Sequence, residues 1–413
     1  MTETYRPDSE AALRDAVVAA RDAGQHLDIR GYGTKRGFGR PVAADAVLSL
    51  ADLSGITYFD AGELVMEAHA GTPLAEIEAV LDAAGQRLAF EPGDLGAIYG
   101  APGGGTIGGV FACNVSGPRR PFAGAARDHI LGVRAVSGRG EVFAAGGRVV
   151  KNVTGYDMGK LLAGSFGTLA VLSCVTFKVL PRPEAERTLL LFGEAADEGL
   201  GALGFAAGEP WDISAGAHIG RAAAARSSVS YIASAPGPVT AVRLEGARGA
   251  VAERCEALRR SLAEIAPTEE LHTHNSRIFW RELRDGALLP ADDGGDGAML
   301  WRLTLPPADA AVALDRLLAI SGGEVLFDWL GGLVWFAVHP DAGAPAEILA
   351  QRIHQAAAEG GGQAVLMRAD ESLRARVAVF GEPAPALLNL TRRLKENFDP
   401  RGILNPGRMF EGL

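Results

Sequence analysis

Two glycine clusters carry the residues whose types and spacing suit chemistry. The first, Gly31-Tyr32-Gly33-Thr34-Lys35-Arg36-Gly37, follows Leu27–Arg30, which reads as a short strand. A strand ending in such a loop offers several unpaired backbone N–H groups at one point. Such a nest binds anions, a diphosphate above all. Gly31 and Gly33 remove side chains so the backbone can approach the guest, and Lys35 and Arg36 add positive charge. The fingerprint G-x-G-x-x-G is not met, because Gly37 comes one place late and no helix pattern follows. Alone, the loop reads equally as a tight turn. The second cluster is Pro102-Gly103-Gly104-Gly105-Thr106-Ile107-Gly108-Gly109, followed by Cys113-Asn114-Val115-Ser116-Gly117. Glycine weakens helices and strands, so a run this dense implies close approach of a large ligand. Thr106, Asn114 and Ser116 can bond to a ring system or a ribose. A dinucleotide lying in a cleft meets these needs.

The elements that must hold these loops show in the periodicity. Residues 8–23 read as a helix, capped by Asp8 or Ser9 and stopped by Gly24. Strands are expected at 46–50, 64–70, 130–136, 141–145 and 168–179, and a helix at 157–163. Thr72 suits an N-cap and Pro73 a first helical position, ahead of the stripe Leu74, Ile77 and Leu81. Pro181 and Pro183 mark a boundary. Residues 184–375 alternate strands (188–192, 299–305, 333–338) with alanine-rich helices (250–265, 308–320, 345–358), which reads as an α+β domain with an antiparallel sheet and no sequence repeat. The loop 292–297 has Gly294 and Leu303 where a calcium loop needs ligands, so no metal site is expected. A helix at 385–398 precedes Asp399-Pro400-Arg401-Gly402-Ile403-Leu404-Asn405-Pro406-Gly407.

Composition removes whole function classes. The 413 residues include 54 glycines, where the usual share gives about 29. The net charge is 40 − 50 = −10, and without a basic cluster neither nucleic acid nor an anionic membrane is an expected partner. No apolar run reaches the ~20 residues of a membrane span. Residues 1–10 show no signal-peptide pattern, so a cytoplasmic protein is expected. Cys113, Cys174 and Cys255 lie 61 and 81 residues apart. They make neither an iron–sulfur nor a zinc set.

The chain resembles the vanillyl-alcohol-oxidase, or PCMH-type, FAD-binding flavoproteins. The resemblance rests on Ile29-Arg30-Gly31-Tyr32-Gly33-Thr34-Lys35, on Gly105-Thr106-Ile107-Gly108-Gly109 through Ser116-Gly117, on Gly167-Thr168-Leu169-Ala170-Val171, and on the C-terminal Asp399-to-Gly407 motif. Lys151-Asn152-Val153-Thr154-Gly155-Tyr156-Asp157, Phe279-Trp280-Arg281-Glu282-Leu283, Leu300-Trp301-Arg302-Leu303 and Asp328-Trp329 extend it over nearly the full length. They make the chain similar to the FAD-binding, E-type subunits of bacterial glycolate oxidases. The resemblance implies an α+β fold: a PCMH-type FAD domain at 1–182 (subdomains about 1–58 and 59–182), a cap or subunit-interaction domain at 183–375, and a C-terminal segment, 376–413, returning to the FAD domain.

Carried over, the resemblance implies that Arg30, Gly31, Tyr32, Gly33, Thr34, Lys35 and Arg36 wrap the FAD diphosphate. Ala101, Thr106, Gly109, Cys113, Asn114, Val115 and Ser116 would line the adenosine-ribityl and flavin channel, Val171 would contact the cofactor through its backbone, and Asn405 would approach the flavin from the C-terminal segment. The family's usual Gly-Thr-Leu-Gly ends here in Ala170. Relatives that hold FAD covalently use a histidine in the first loop; Gly33-Thr34-Lys35 has none, so FAD is expected to be non-covalent. The implied activity is oxidation of glycolate, or a similar D-2-hydroxy acid, to glyoxylate or its analogue, beside a second flavoprotein subunit and an iron–sulfur subunit. Attachment to the inner face of the membrane through that complex is a variant of this reading. A self-sufficient hydroxy-acid dehydrogenase and a non-catalytic FAD-stabilised scaffold are the alternatives.

No catalytic base is legible. The pair His272 and His274 has no obvious partner, and Lys151 and Tyr156 are equally donors or packing residues. Arg277, Arg281 and Arg284 share a helix face. That face reads as solvated or as a subunit contact, and Phe279 and Trp280 beside it favour an interface.

Overall fold

The computed structural model describes residues 3–101, 103–149, 155–193, 195–291, 297–340 and 345–413. Pro102, the run Lys151 to Thr154 and the acidic loop at 292–296 therefore lie outside the described residues. The chain is α+β and divides into two units. One comprises Met1–Ser116, Gly124–Arg182 and Glu382–Leu413; the other comprises Gly117–Ala123 and Pro183–Gly381. The short run Gly117–Ala123, expected within the first domain, thus belongs with the second unit.

Among the described residues the first unit holds three sheets, the smallest a two-stranded pairing of Gln86–Arg87 with Leu180–Pro181. Glu3–Tyr5, Ala46–Ser49 and Leu27–Arg30 form a parallel sheet in that order. The helix Glu10–Ala23 feeds it, with the Ser9 hydroxyl accepting from Ala12 N and Gly24 closing the helix at φ 66°. Ile56–Asp60, Val65–His69, Ala170–Lys178, Ile130–Ser137 and Val142–Gly146 form an antiparallel sheet. The subdomain break expected near residue 58 falls inside its first strand. Thr72 is not a helix cap. Its hydroxyl donates to His69 O at 2.7 Å and accepts from Gly55 N at 2.9 Å, tying two loops together. The helix Leu74–Ala83 accordingly starts after Pro73.

The second unit is one eight-stranded antiparallel sheet, and its topology repeats. Strand Ala185–Phe192, helix Ala196–Gly208, strands Ile213–Ile219 and Val239–Gly246, helix Arg248–Leu262 and strand Thr268–His272 form one β-α-β-β-α-β half. Met299–Thr304, Ala310–Ile320, Gly323–Asp328, Leu333–Val338, Ala346–Glu359 and Gln363–Arg368 form the other. The halves join edge to edge where His218 and Ile219 pair with Phe327 and Leu326. No repeat shows in the sequence because both halves need only apolar alternation and helical stripes, which many sequences satisfy.

The aromatic pair does not form an interface. Phe279 and Trp280 are 0% and 2% exposed on helix Thr273–Arg284. Trp280 Nε1 donates to Thr188 Oγ1 at 2.7 Å, and the Arg243 guanidinium lies 4.7 Å from its ring centre. A buried indole needs such a partner. Arg277 lies 3.8 Å from Glu186 and Arg284 pairs with Asp285 at 2.8 Å. The three arginines therefore do not converge as one carboxylate grip.

Candidate functional site

The parallel sheet of the first unit delivers the first glycine loop. Leu27 N donates to Ile403 O at 2.8 Å and Asn405 N to Leu27 O at 3.0 Å, so the C-terminal segment extends the sheet beside Leu27–Arg30. Beyond Arg30 the chain turns, with Arg36 N bonding to Gly33 O and Phe38 N to Lys35 O. Gly33 has φ 78°, the left-handed region open to glycine. The N–H groups of Gly31, Tyr32, Gly33 and Thr34 make no hydrogen bond among the described residues. Such consecutive free donors form the anion nest expected from the sequence.

The second glycine cluster forms the facing wall. Gly108 N donates to Ala70 O at 2.9 Å, and a β-carbon on Gly108 would stand 2.6 Å from Ala70 Cβ. Only glycine lets the helix Ile107–Ala112 sit this close to the strand end. Thr106 caps that helix, its hydroxyl accepting from Gly109 N at 3.3 Å. The two walls meet at Gly31, whose β-carbon would lie 2.5 Å from Thr106 Oγ1. Gly105 leaves the space that the Lys35 ammonium fills.

A third wall comes from the chain entering strand Ala170–Lys178 and from the C-terminal segment. Asn405 Nδ2 donates to Phe166 O at 2.7 Å and its Oδ1 accepts from Ile29 N at 2.8 Å. Behind it, Lys395 Nζ donates to Thr168 O, Asp399 Oδ2 and Leu404 O at 2.7 to 2.8 Å. Asp399 also accepts from the N–H groups of Ile403 and Leu404. This buried latch sets the segment that carries Asn405 and Arg408.

Together these walls line an open cleft whose space, counted out to the solvent at its mouth, is about 810 Å³. Arg30, Lys35, Arg36 and Arg408 line it against the single carboxylate of Asp28, a balance of 4 − 1 = +3 in a chain of net charge −10. Asp28 holds Arg30 at 2.6 Å and Arg36 at 3.5 Å. Arg30 Nε is buried without a hydrogen-bond partner. Lys35 is 8% exposed, and burial pushes its ammonium below the usual lysine range. No hydrogen bond or ion pair satisfies that ammonium among the described residues. Unpaired donors, buried cations and glycine-thinned walls fit an elongated anion such as the diphosphate of a dinucleotide.

The structure brings Arg30, Gly31, Tyr32, Gly33, Thr34, Lys35, Arg36, Thr106, Gly109, Cys113, Val171 and Asn405 to this cleft. Ala101, Asn114, Val115 and Ser116 do not line it. Asn114 Oδ1 accepts from Arg127 N and Ser116 Oγ from Ala126 N, so both fasten the turn at Ala126–His129. Val115 is 4% exposed in the core, and Ala101 N closes the turn onto Gly96 O. Ala170 is 1% exposed and lines the cleft in place of the family's glycine. Tyr156 is 91% exposed, and His272 and His274 are exposed.

Sequence reasoning missed Asp28, Phe166 and Arg408. Asp28 was readable as the i−2 neighbour of Arg30, on the same face of the strand. Phe166, at φ 54° against the edge of Phe38, had no local signal. Arg408 directly follows the C-terminal motif and donates to Lys35 O at 2.8 Å.

Residues 3–146 match the FAD binding domain family. The chain is 33% identical to the glycolate oxidase subunit GlcE of Escherichia coli K12, over 98% of this chain and 99% of that one. It is 35% identical to the D-2-hydroxyglutarate dehydrogenase of Xanthomonas citri pv. viticola, over 37% of this chain and 31% of that one. Its fold is similar to p-cresol methylhydroxylase with substrate bound, at TM-score 0.69 and 16% identity, over 99% of this chain and 88% of that one.

Proposed function

The chain belongs to the family of FAD-binding glycolate oxidase subunits, and from that membership we propose that it is an FAD-dependent subunit of a complex that oxidises glycolate or a similar D-2-hydroxy acid. The observation that carries the cofactor half of this reading is the +3 cleft with its run of unpaired backbone donors. FAD supplies the acceptor for the two electrons and hydrogen leaving the hydroxyl-bearing carbon. The chain's own residues hold it: the loop from Arg30 to Arg36 takes the diphosphate, Thr106 and Gly109 form the opposite wall, and Asn405 keeps the C-terminal segment against the strand.

The retention is non-covalent. The stretch Gly33-Thr34-Lys35, where covalent relatives carry a histidine, has none, and among the described residues no histidine lines the cleft. The two glycine walls, with the sheets that carry them, constitute the FAD domain, and the eight-stranded unit serves as the cap or subunit-interaction domain. Electrons leave to partner chains, a second flavoprotein and an iron–sulfur subunit. The resemblance to glycolate oxidase subunits implies these partners, and this chain's own Cys174 and Cys255 are buried, with burial pushing their thiols up to about 11 and about 12. Such thiols are poor cluster ligands. Among the described residues no helix is long and apolar enough to cross a membrane, and a cytoplasmic complex accommodates this.

Anaerobic addition of glycolate to the isolated chain tests the reading. The flavin absorbance is expected to persist, then to bleach within turnover time once the partner subunits are added. Bleaching of the isolated chain would make it a self-sufficient dehydrogenase. A colourless chain that still assembles the complex would leave it a scaffold.

A further inference from the structure

Cys113 differs from the other two cysteines in where it stands. It is half-buried and lines the cleft, whereas Cys174 and Cys255 are buried in strand Ala170–Lys178 and helix Arg248–Leu262. Its N–H donates to Gly109 O at 3.1 Å, one turn along the helix, and a β-carbon on Gly109 would lie 3.8 Å from Lys35 Nζ. The buried, unpaired ammonium therefore sits beside the stretch that ends in this thiol. Burial pulls the Lys35 ammonium down, while Cys113 and Asp94 act to hold it charged. The cleft is also lined by Arg30, Arg36 and Arg408, against the one lining carboxylate of Asp28. An electropositive, partly exposed setting of this kind favours the thiolate.

We infer that Cys113 is a thiol-modification site within the cleft, activated by Lys35 toward peroxides and other small electrophiles and covered when the cofactor is bound. The covering rests on the FAD reading; the activation does not. With hydrogen peroxide, the thiolate sulfur forms an S–O bond as the O–O bond breaks. Sulfur is oxidised by two electrons to the sulfenic acid, and the peroxide is reduced, leaving as hydroxide. With iodoacetate, an S–C bond forms, the C–I bond breaks and iodide leaves with the electron pair.

The test uses the full chain, freed of FAD and then reloaded, with iodoacetate and neutral iodoacetamide as probes and mass spectrometry to read each cysteine. At neutral pH, Cys113 is expected to react at least about tenfold faster than Cys174 or Cys255, whose burial both raises their thiols and shields them from the reagent. Iodoacetate is expected to gain on iodoacetamide at Cys113 alone. Lys35→Met removes that gain and slows the reaction about tenfold, the effect of one nearby charge, while Lys35→Arg retains both. Reloading with FAD suppresses labelling of Cys113. A Cys113 that reacts no faster than the buried pair, or that shows no preference for the anionic probe, overturns the activation. The second readout needs no variant. Equal labelling of the FAD-loaded chain overturns the covering. A chain that takes up no FAD but labels as described overturns the cofactor reading and leaves the Lys35–Cys113 pair standing.

Discussion

Gly31→Ala is expected to weaken FAD binding by tenfold to a hundredfold while the chain stays folded. The added methyl would lie 2.5 Å from Thr106 Oγ1 and 2.6 Å from Thr106 Cγ2. Neither atom is free to retreat, because Thr106 caps the helix Ile107–Ala112. Overpacking of this kind costs about 1–3 kcal/mol, and about 1.4 kcal/mol corresponds to tenfold in affinity. Pairing the change with Thr106→Ala removes both opposing atoms, at the expense of a cap worth ~1 kcal/mol. Fluorescence titration should then place the double variant above Gly31→Ala alone in affinity. Unaltered affinity in Gly31→Ala would mean that the meeting of these walls does not shape the cofactor site.

Lys395→Met is expected to lower stability by about 3–5 kcal/mol, the usual result of stripping one partner from a buried ion pair. Lys395 and Asp399 side chains are 8% and 0% exposed. The ammonium also satisfies two carbonyls, one of them on Thr168 just ahead of strand Ala170–Lys178. Removing it leaves those carbonyls and a buried carboxylate without their donor. Because Asn405 and Arg408 follow on the same segment, FAD affinity falls with stability. Lys395→Met with Asp399→Asn is expected to recover part of the loss, since no unpaired charge is then buried. Urea midpoints of the wild type and the two variants measure this. A Lys395→Met chain within ~1 kcal/mol of wild type would contradict the latch.

What the sequence made legible was local. The strand at Leu27–Arg30, the stop at Gly24 and the two glycine loops follow from short-range rules of propensity and capping, and the structure places them as read. The cleft itself needed tertiary information. Lys35 was legible as a charge of the anion loop, but not its burial, which Gly105 permits by leaving room for the ammonium. Asn114 and Ser116 read as polar residues of the second cluster, and their acceptance of hydrogen bonds from the N–H groups of Arg127 and Ala126 had no sequence signal. Thr72 obeys the capping pattern, yet Gly55 and His69, distant or turned back in the chain, outbid the helix for its hydroxyl. Trp280 beside three arginines imitates an interface because its partner, Thr188, lies 92 residues away. The doubled topology of the second unit leaves no motif at all, since a β-α-β-β-α-β half is specified by where apolar residues fall rather than by which ones they are.

The most direct measurement is the visible spectrum of the purified full chain, taken before and after denaturation and separation of the protein. The account requires a yellow chain with about one flavin per polypeptide, all of it released into solution as FAD and none remaining with the denatured protein. A chain that is colourless and stays so on titration with FAD would contradict the cofactor site. Flavin that stays with the denatured protein would contradict non-covalent retention by the Arg30-to-Arg36 loop.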